Sequence, residues 1–508
     1  MKKFLAIFLS LVLAVCLLSG CNKKANNSTQ TDEEGAYQGF ETGDGQSSAD
    51  DTTTNSDRGS SNMNEFVEMP SKITSTESNN SSVASSDSGL LIPLDTYQLP
   101  NYNINIDNLN EFKQENRYVK MVSEATLQDY NSYVAKLIET GFKKYDENKI
   151  DNSHFVSLTN NKIFVSVSFT SGNSKLKVVS EPLGDLYPRK QDNKYTDKGM
   201  QSLFTGIKNQ NRPIYAGMGF IIRLSDGRFI VIDGGAGDYN HLDSNNIFNV
   251  LKKQSPAGTE KPVIAAWIFT HAHDDHIGAF NAFTADHAND VVIQSFYYNF
   301  PPPRVIGDKT DGLSHEEYYS YTNFAKCVKK YSGAKFIRPH AGEKYYIGNS
   351  VIDMLFTYED LFPLSLEEGG GLDDFNHTSL IFKITISGQS MMITGDATSD
   401  GMFFLTDNFS NSIQCDILQM SHHGQFGTRR FYSLVDPLYA LLPITHVDTN
   451  RVTSTDANRW LVNNSRVRQI IAFWGGNVTI PLPYNPTDDQ IYDRIPTANT
   501  KYHDFLSD

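Results

Sequence analysis

The sequence predicts an α/β fold, and three observations support that reading. Short apolar runs recur at close intervals from about Gly217 onward: Phe220-Ile221-Ile222, Phe229-Ile230-Val231-Ile232 and Val263 to Phe269. Continuous runs of this kind suit strands buried on both faces. Elsewhere, Leu127, Tyr130, Val134, Leu137 and Ile138 fall at helical spacing. Third, acidic and histidine side chains gather where the apolar runs end, so the strands deliver chemistry at their ends.

Composition narrows the class of protein. A chain of 508 residues suits two or three domains. Its hydrophobic fraction of 39% lies below the usual globular range, as when an ordinary domain is averaged with a polar segment. The net charge of -15 excludes a generally basic, nucleic-acid-coating protein but leaves room for a local phosphate site. Four cysteines exclude a disulfide scaffold or a Cys-rich zinc module. The placement of the 13 histidines is the informative feature.

Residues 1–20 read as an export signal. Lys2 and Lys3 precede an apolar run from Phe4 to Leu18, which is short for a membrane span, and the run ends in Leu18-Ser19-Gly20-Cys21. That ending resembles the lipobox of bacterial lipoproteins, which implies a lipidated Cys21 and a chain tethered to the outer face of a bacterial cell membrane. The alternative is an ordinary secretory signal. Residues 21–89 are rich in Ser, Asn, Asp and Thr with no apolar period, so a disordered linker is expected. It would act as a flexible stalk or as a tail without function.

Residues 90–190 suggest a small α/β module. Thr126 is an N-cap with Asp129 three residues on, and Gly141 stops the helix. Two β-rich stretches follow, Ile163 to Phe169 and Lys175 to Val179, around the turn Ser171-Gly172-Asn173. No His/Asp/Glu cluster or Gly-rich phosphate loop occurs there, which favours a spacer or binding role over chemistry.

The main domain is expected over residues 200–508. Phe220 to Ile222 should pair with Phe229 to Ile232 across Ser225-Asp226-Gly227, and the second strand ends at Asp233. The run Val263 to Phe269 leads directly into Thr270-His271-Ala272-His273-Asp274-Asp275-His276. Residues two apart on an extended chain point the same way, so His271 and His273 can share one metal ion. Asp275 and His276, on the helix that follows, face a neighbouring position, and a carboxylate there can also hold a metal-bound water.

This segment carries the HxHxDH motif and resembles the metallo-β-lactamase fold superfamily, over roughly Gly217 to Tyr484. The resemblance implies an αββα sandwich and two divalent metal ions, zinc first, with manganese or iron as alternatives. It implies ligand roles for His271, His273, Asp275, His276 and Asp396, the last from Thr394-Gly395-Asp396 as a bridging carboxylate. Asp233 would orient the ligand loop. His422-His423-Gly424 resembles the "HHG" of the ComEC-like and phosphorylcholine-esterase-like branch; in related phosphodiesterases such as ribonuclease Z, a His in this general place contacts phosphate or protonates a leaving group. Neighbours on an extended chain face opposite ways, so one of His422 and His423 is expected in the site, with His422 favoured. His446 is the candidate last ligand, with a surface or core histidine as the alternative. His377, in Asn376-His377-Thr378-Ser379-Leu380, is a weaker ligand candidate. Asp275, His422 and His423 are the catalytic candidates.

Two ions sharing Asp396 and a water would supply hydroxide near neutral pH, and an additional His would suit a poor alkoxide leaving group. The expected activity is therefore phosphodiester hydrolysis, on a small or polymeric substrate; net charge gives no support for nucleic acid. Arg429 and Arg430 could contact phosphate or simply be exposed. The Tyr-rich insert from Asn299 to about Tyr331 is expected near the site mouth. A lactamase, lactonase or thioesterase and a non-catalytic binding lipoprotein are the alternatives.

Overall fold

Alternating and continuous apolar runs build three sheets in the computed structural model, which describes residues 109–114, 117–191, 196–209, 217–237, 241–301, 315–361, 375–444, 446–463 and 466–505. The export signal, Cys21, the linker and residues 302–314 of the insert lie outside the described residues. All described residues belong to one compact unit, residues 64–508.

The first sheet is antiparallel throughout. Its strands are β1 (Leu109–Gln114), β2 (Arg117–Val122), β3 (Lys143–Ile150), β4 (Ser153–Thr159), β5 (Ile163–Thr170) and β6 (Lys175–Pro182). Their order is β1-β2-β6-β5-β4-β3. Helix α1 (Leu127–Glu139) covers one face, burying Tyr130, Tyr133, Val134 and Leu137 against Val156, Val165, Val167 and Val178. A capping box starts it: Thr126 Oγ1 accepts from the Asp129 amide while Asp129 accepts from the Thr126 amide. Sequence reasoning found β5 and β6 but not the other strands. The reason is plainest at β3, whose Lys143-Lys144-Tyr145-Asp146-Glu147-Asn148-Lys149 is mostly exposed on the sheet edge and lacks an apolar face.

The second sheet comprises β7 (Ser202–Gly206), β8 (Phe220–Arg223), β9 (Phe229–Ile232), β10 (Val263–Ile268), β11 (Val292–Ile293), β12 (Ser295–Tyr297) and β13 (Lys335–Ile337). The third comprises β14 (Lys344–Ile347), β15 (Ser350–Phe356), β16 (Ile381–Ile386), β17 (Gln389–Ile393), β18 (Ile417–Gln419), β19 (Tyr439–Leu442) and β20 (Gln469–Ala472). A last strand, β21 (Val478–Leu482), returns to pair with β7. The hairpin read from sequence forms as β8 and β9, with Phe220 opposite Ile232 and Arg223 opposite Phe229.

Side-chain alternation sorts these strands into four layers. Ile230, Ile232, Ala266 and Ile268 meet Phe382, Ile384, Ile417 and Leu441 in a core between the two sheets. Val231 and Trp267 point outward, onto α2 (Leu242–Gln254), α3 (Asp274–His287) and α4 (His315–Lys329). Met392, Leu418, Ala440 and Leu442 face α5 (Ser399–Asn408), α6 (Arg429–Val435) and α7 (Asp456–Asn463). The result is an αββα sandwich. Cys327 and Cys415 are free, buried thiols in different helix–sheet cores.

The face of the first sheet away from α1 meets the sandwich through buried charge. Arg117 on β2 pairs with Glu359 at 2.5 Å and donates to Asn299 at 2.9 Å, while Lys177 on β6 pairs with Asp360. Glu181 pairs with Arg338, and His340 Nδ1 lies 2.8 Å from Glu359. Burial opposes charge on His340, but Glu359 and Glu181 outweigh it and hold its pKa up to about 10. Removing one member of such a network strands its partners. Glu359→Gln is expected to cost roughly 3–5 kcal/mol in denaturant unfolding, since Arg117 and His340 lose their shared counter-charge. The His340 contribution is complete below its ordinary value of 6.5 and is lost as pH rises toward about 10. Stability should fall across that window, and His340→Gln should remove that part of the slope.

Candidate metal centre

Strand ends converge on one point. β9 leads directly to Asp233, β10 runs on to His271 and His273, and α3 begins at Asp274, so Asp275 and His276 occupy its first turn. β17 is followed by Thr394-Gly395-Asp396, and β18 leads to His422 and His423. Gly395 has a positive φ of 53°, and a Cβ there would lie 2.8 Å from Thr270 Cβ, so only glycine lets this turn close against the ligand loop.

Asp233 is fully buried and organises the loop from behind. Its carboxylate accepts from the Thr270 amide at 2.7 Å and the Thr270 hydroxyl at 2.8 Å, and it lies 2.7 Å from His276 Nδ1. That contact fixes the His276 ring and turns Nε2 toward Asp396, 3.2 Å away. On the other side, His423 Nδ1 donates to the Pro443 carbonyl at 2.7 Å. Its Nε2 therefore faces the carboxylates, 3.1 Å from Asp275 Oδ2 and 3.2 Å from Asp396 Oδ2. Ser379 Oγ accepts from the Asp396 amide at 3.1 Å.

Asp275, His276, Asp396 and His423 each offer a donor atom, and these four atoms lie within 4.8 Å of one another. Donors around a tetrahedral zinc ion at about 2.0–2.1 Å stand about 3.3 Å apart, close to three of the separations here, 3.1–3.2 Å, with His276 Nε2 and Asp275 Oδ2 wider at 3.9 Å. His276 Nε2, Asp396 Oδ1 and His423 Nε2 are buried without a hydrogen-bond partner. Buried polar atoms left in this state are costly, and a cation among them removes the cost. The donor set fits a divalent metal ion. Beside it, His271 Nε2 and His273 Nδ1 face each other at 3.1 Å, and the His271 and His276 rings are 4.1 Å apart. Burial drives the His271 pKa well below its ordinary value, leaving the neutral imidazole that ligation requires. At His423, burial opposes charge, but Asp396 and Asp275 raise the pKa to about 9. At Asp396 burial favours the neutral acid, yet His276, His423 and His422 hold the pKa well below the usual carboxylate range.

Other sequence candidates fall differently. One of His422 and His423 is expected in the site from the sequence, with His422 favoured, because neighbours on an extended chain face opposite ways. The chain is not extended there: His422 and His423 have φ of 48° and 53°. Both rings consequently turn toward Asp396, with His423 buried in the cluster and His422 Nε2 at 3.7 Å, 20% exposed. His446 lies outside the four-donor set, and its Nδ1 is buried without a hydrogen-bond partner. His377 is bonded to Thr398 and faces Asp400 at 3.5 Å. Arg430 pairs with Asp407 on α5 rather than turning to the site.

Several neighbours gave no sequence signal. Phe375 lies against His273 with its ring stacked on Tyr321, and Phe426, 40% exposed, lies against His422. Phe375 opens a short 3-10 turn and Phe426 lies in a loop, and no periodicity assigns either a role.

Residues 218–431 match the family described as Metallo-beta-lactamase superfamily. This region has the metallo-β-lactamase fold. Solved structures similar to the chain include the metallo-β-lactamase fold protein YhfI from Bacillus subtilis, at 12% identity and a TM-score of 0.33, covering 55% of this chain and 99% of that one. CmlA, a diiron β-hydroxylase from Streptomyces venezuelae, matches at 10% identity and a TM-score of 0.34, over 60% of this chain and 55% of that one. The short form of human tRNase Z matches at 12% identity and a TM-score of 0.29, over 53% and 95%. The chain thus spans about half the length of the hydroxylase and nearly all of the other two. No curated protein matches.

The metallo-β-lactamase-fold domain offers one compact four-donor set with the His271–His273 pair beside it, so any ion held by the pair should bind more weakly than one held by the set. Titrating the metal-free protein with Zn²⁺ against a chromophoric chelator should resolve a tight and a weaker event. His423→Ala should weaken the tight event, and His271→Ala the weaker one.

Proposed function

We propose that this chain is a dinuclear metal-dependent phosphodiesterase. The observation that carries this reading is the contrast between the two adjacent histidines. His423 is locked between Asp275 and Asp396, whereas His422 stands 3.7 Å from Asp396 and remains partly open to solvent. A solvent-facing imidazole beside a metal centre suits proton donation to an alkoxide leaving group, a need that a β-lactam or lactone opening feels less.

In this reading Asp275, His276, Asp396 and His423 would hold one ion, and His271 and His273 would help hold the other. Bound ions would supply Lewis-acid polarisation of a phosphoryl oxygen and a water acidic enough to ionise near neutral pH. The chain's own groups do the rest. Asp275, 25% exposed, orients the attacking water, Asp233 keeps His276 aimed, and His422 gives its proton to the leaving oxygen. Residues 1–20 direct export, and a lipid on Cys21 tethers the domain outside the cytoplasmic membrane.

The zinc- or manganese-loaded protein should hydrolyse bis(p-nitrophenyl) phosphate and leave nitrocefin and simple lactones untouched. The reverse selectivity would make it a lactam or lactone hydrolase. His422→Ala should keep its metal content and lose diesterase activity by roughly 10²–10⁴-fold; loss of metal instead would make His422 a ligand. Palmitate labelling in a bacterial host should appear in the full chain and vanish in Cys21→Ala.

A further inference from the structure

The turn that delivers His423 is strained. His422 (φ 48°, ψ 52°), His423 (φ 53°, ψ 33°) and Gly424 (φ 80°) are three consecutive residues in the left-handed region. Residues with a Cβ avoid it because the Cβ crowds the next carbonyl, and they hold it only where the surroundings leave no alternative. At the start of the turn those surroundings are clear. The His422 amide donates to the Gly395 carbonyl at 3.2 Å, and Ser421 Oγ donates to the Ala397 carbonyl at 2.7 Å. At its end, the Gly424 carbonyl accepts from Asn458 Nδ2 at 2.7 Å and from Ser454 Oγ at 3.2 Å.

Asn458 lies on α7, outside every motif read from the sequence. It is fully buried, and it also donates from Nδ2 to the Arg451 carbonyl at 2.8 Å. Its Oδ1 is buried with no hydrogen-bond partner. Two carbonyls flanking one side of the amide demand the NH₂ there, and the side chain leaves its own acceptor unsatisfied to provide it. A residue present only to fill space would not need this arrangement. We infer that Asn458 is a positioning residue for the metal centre: by gripping the Gly424 carbonyl it sustains the left-handed turn that places His423 Nε2 between Asp275 and Asp396. The inference rests on the metal-centre reading above and adds a residue in the helix behind it.

Asn458→Asp keeps the shape and replaces the donors by an oxygen facing two carbonyls. Its tight Zn²⁺ affinity, read by chelator competition on the full chain, should fall roughly 10–100-fold. The visible spectrum of the Co²⁺-loaded variant should change as in His423→Ala. Thr455→Ala, which removes the hydroxyl capping the Asn458 amide at 3.0 Å, should lower the unfolding midpoint without moving Zn²⁺ affinity. A folded Asn458→Asp with wild-type Zn²⁺ affinity and Co²⁺ spectrum overturns the inference while leaving the metal centre intact. A wild-type chain that binds no Zn²⁺ overturns both. Should the variant not fold, amide exchange on the wild-type chain decides the matter. Zn²⁺ should slow exchange in residues 421–425 and 451–463 together, and protection confined to 421–425 refutes the coupling.

Discussion

The buried carboxylate of Asp396 sets the terms for this domain. An ionised group taken out of water needs compensating charge close by. Here the compensation comes from His276 on one side and His423 on the other, with Asp275 adding a second negative charge at the same point. Imidazoles and carboxylates at ligand–ligand separations, several of their atoms without hydrogen bonds, form a donor set suited to a cation. Much of the nearby backbone serves that point: the glycine turn at Gly395, the buried Asp233 behind His276, and the left-handed turn before α6.

The same electrostatic demand appears a second time, answered differently. Between the first sheet and the sandwich, Arg117, Lys177, Arg338 and His340 meet Glu181, Glu359 and Asp360 with no apparent need of a metal, because positive side chains already balance the carboxylates. The first sheet is joined to the sandwich through specific partners, and it shares apolar contacts as well: Phe155 belongs to the core around α5 and Phe164 to the core between the sheets.

Readability from sequence followed the range of the interactions. The HxHxDH segment could be recognised because its donors are packed into a few residues, and strand alternation plus a helical turn are enough to aim them. The hairpin of β8 and β9 and the capping box of α1 are likewise local. Edge strands such as β3 were missed because a solvated edge carries no apolar period. The choice between His422 and His423 is not legible for a different reason. It depends on backbone dihedrals that a rule for extended chains does not describe.

The α/β class, the strand that carries the ligand loop, and the candidate donors His271, His273, Asp275, His276 and Asp396 are readable along the chain, because a spacing of two and of one helical turn are short-range geometry. That His423 joins the four-donor set and that Asn458 lies behind it emerges from the folded chain alone. Those outcomes turn on the Gly395, Pro443 and Gly424 carbonyls, which distant parts of the chain bring to the same turn. Contacts of that kind leave no period or motif, since each depends on where another strand or helix comes to rest.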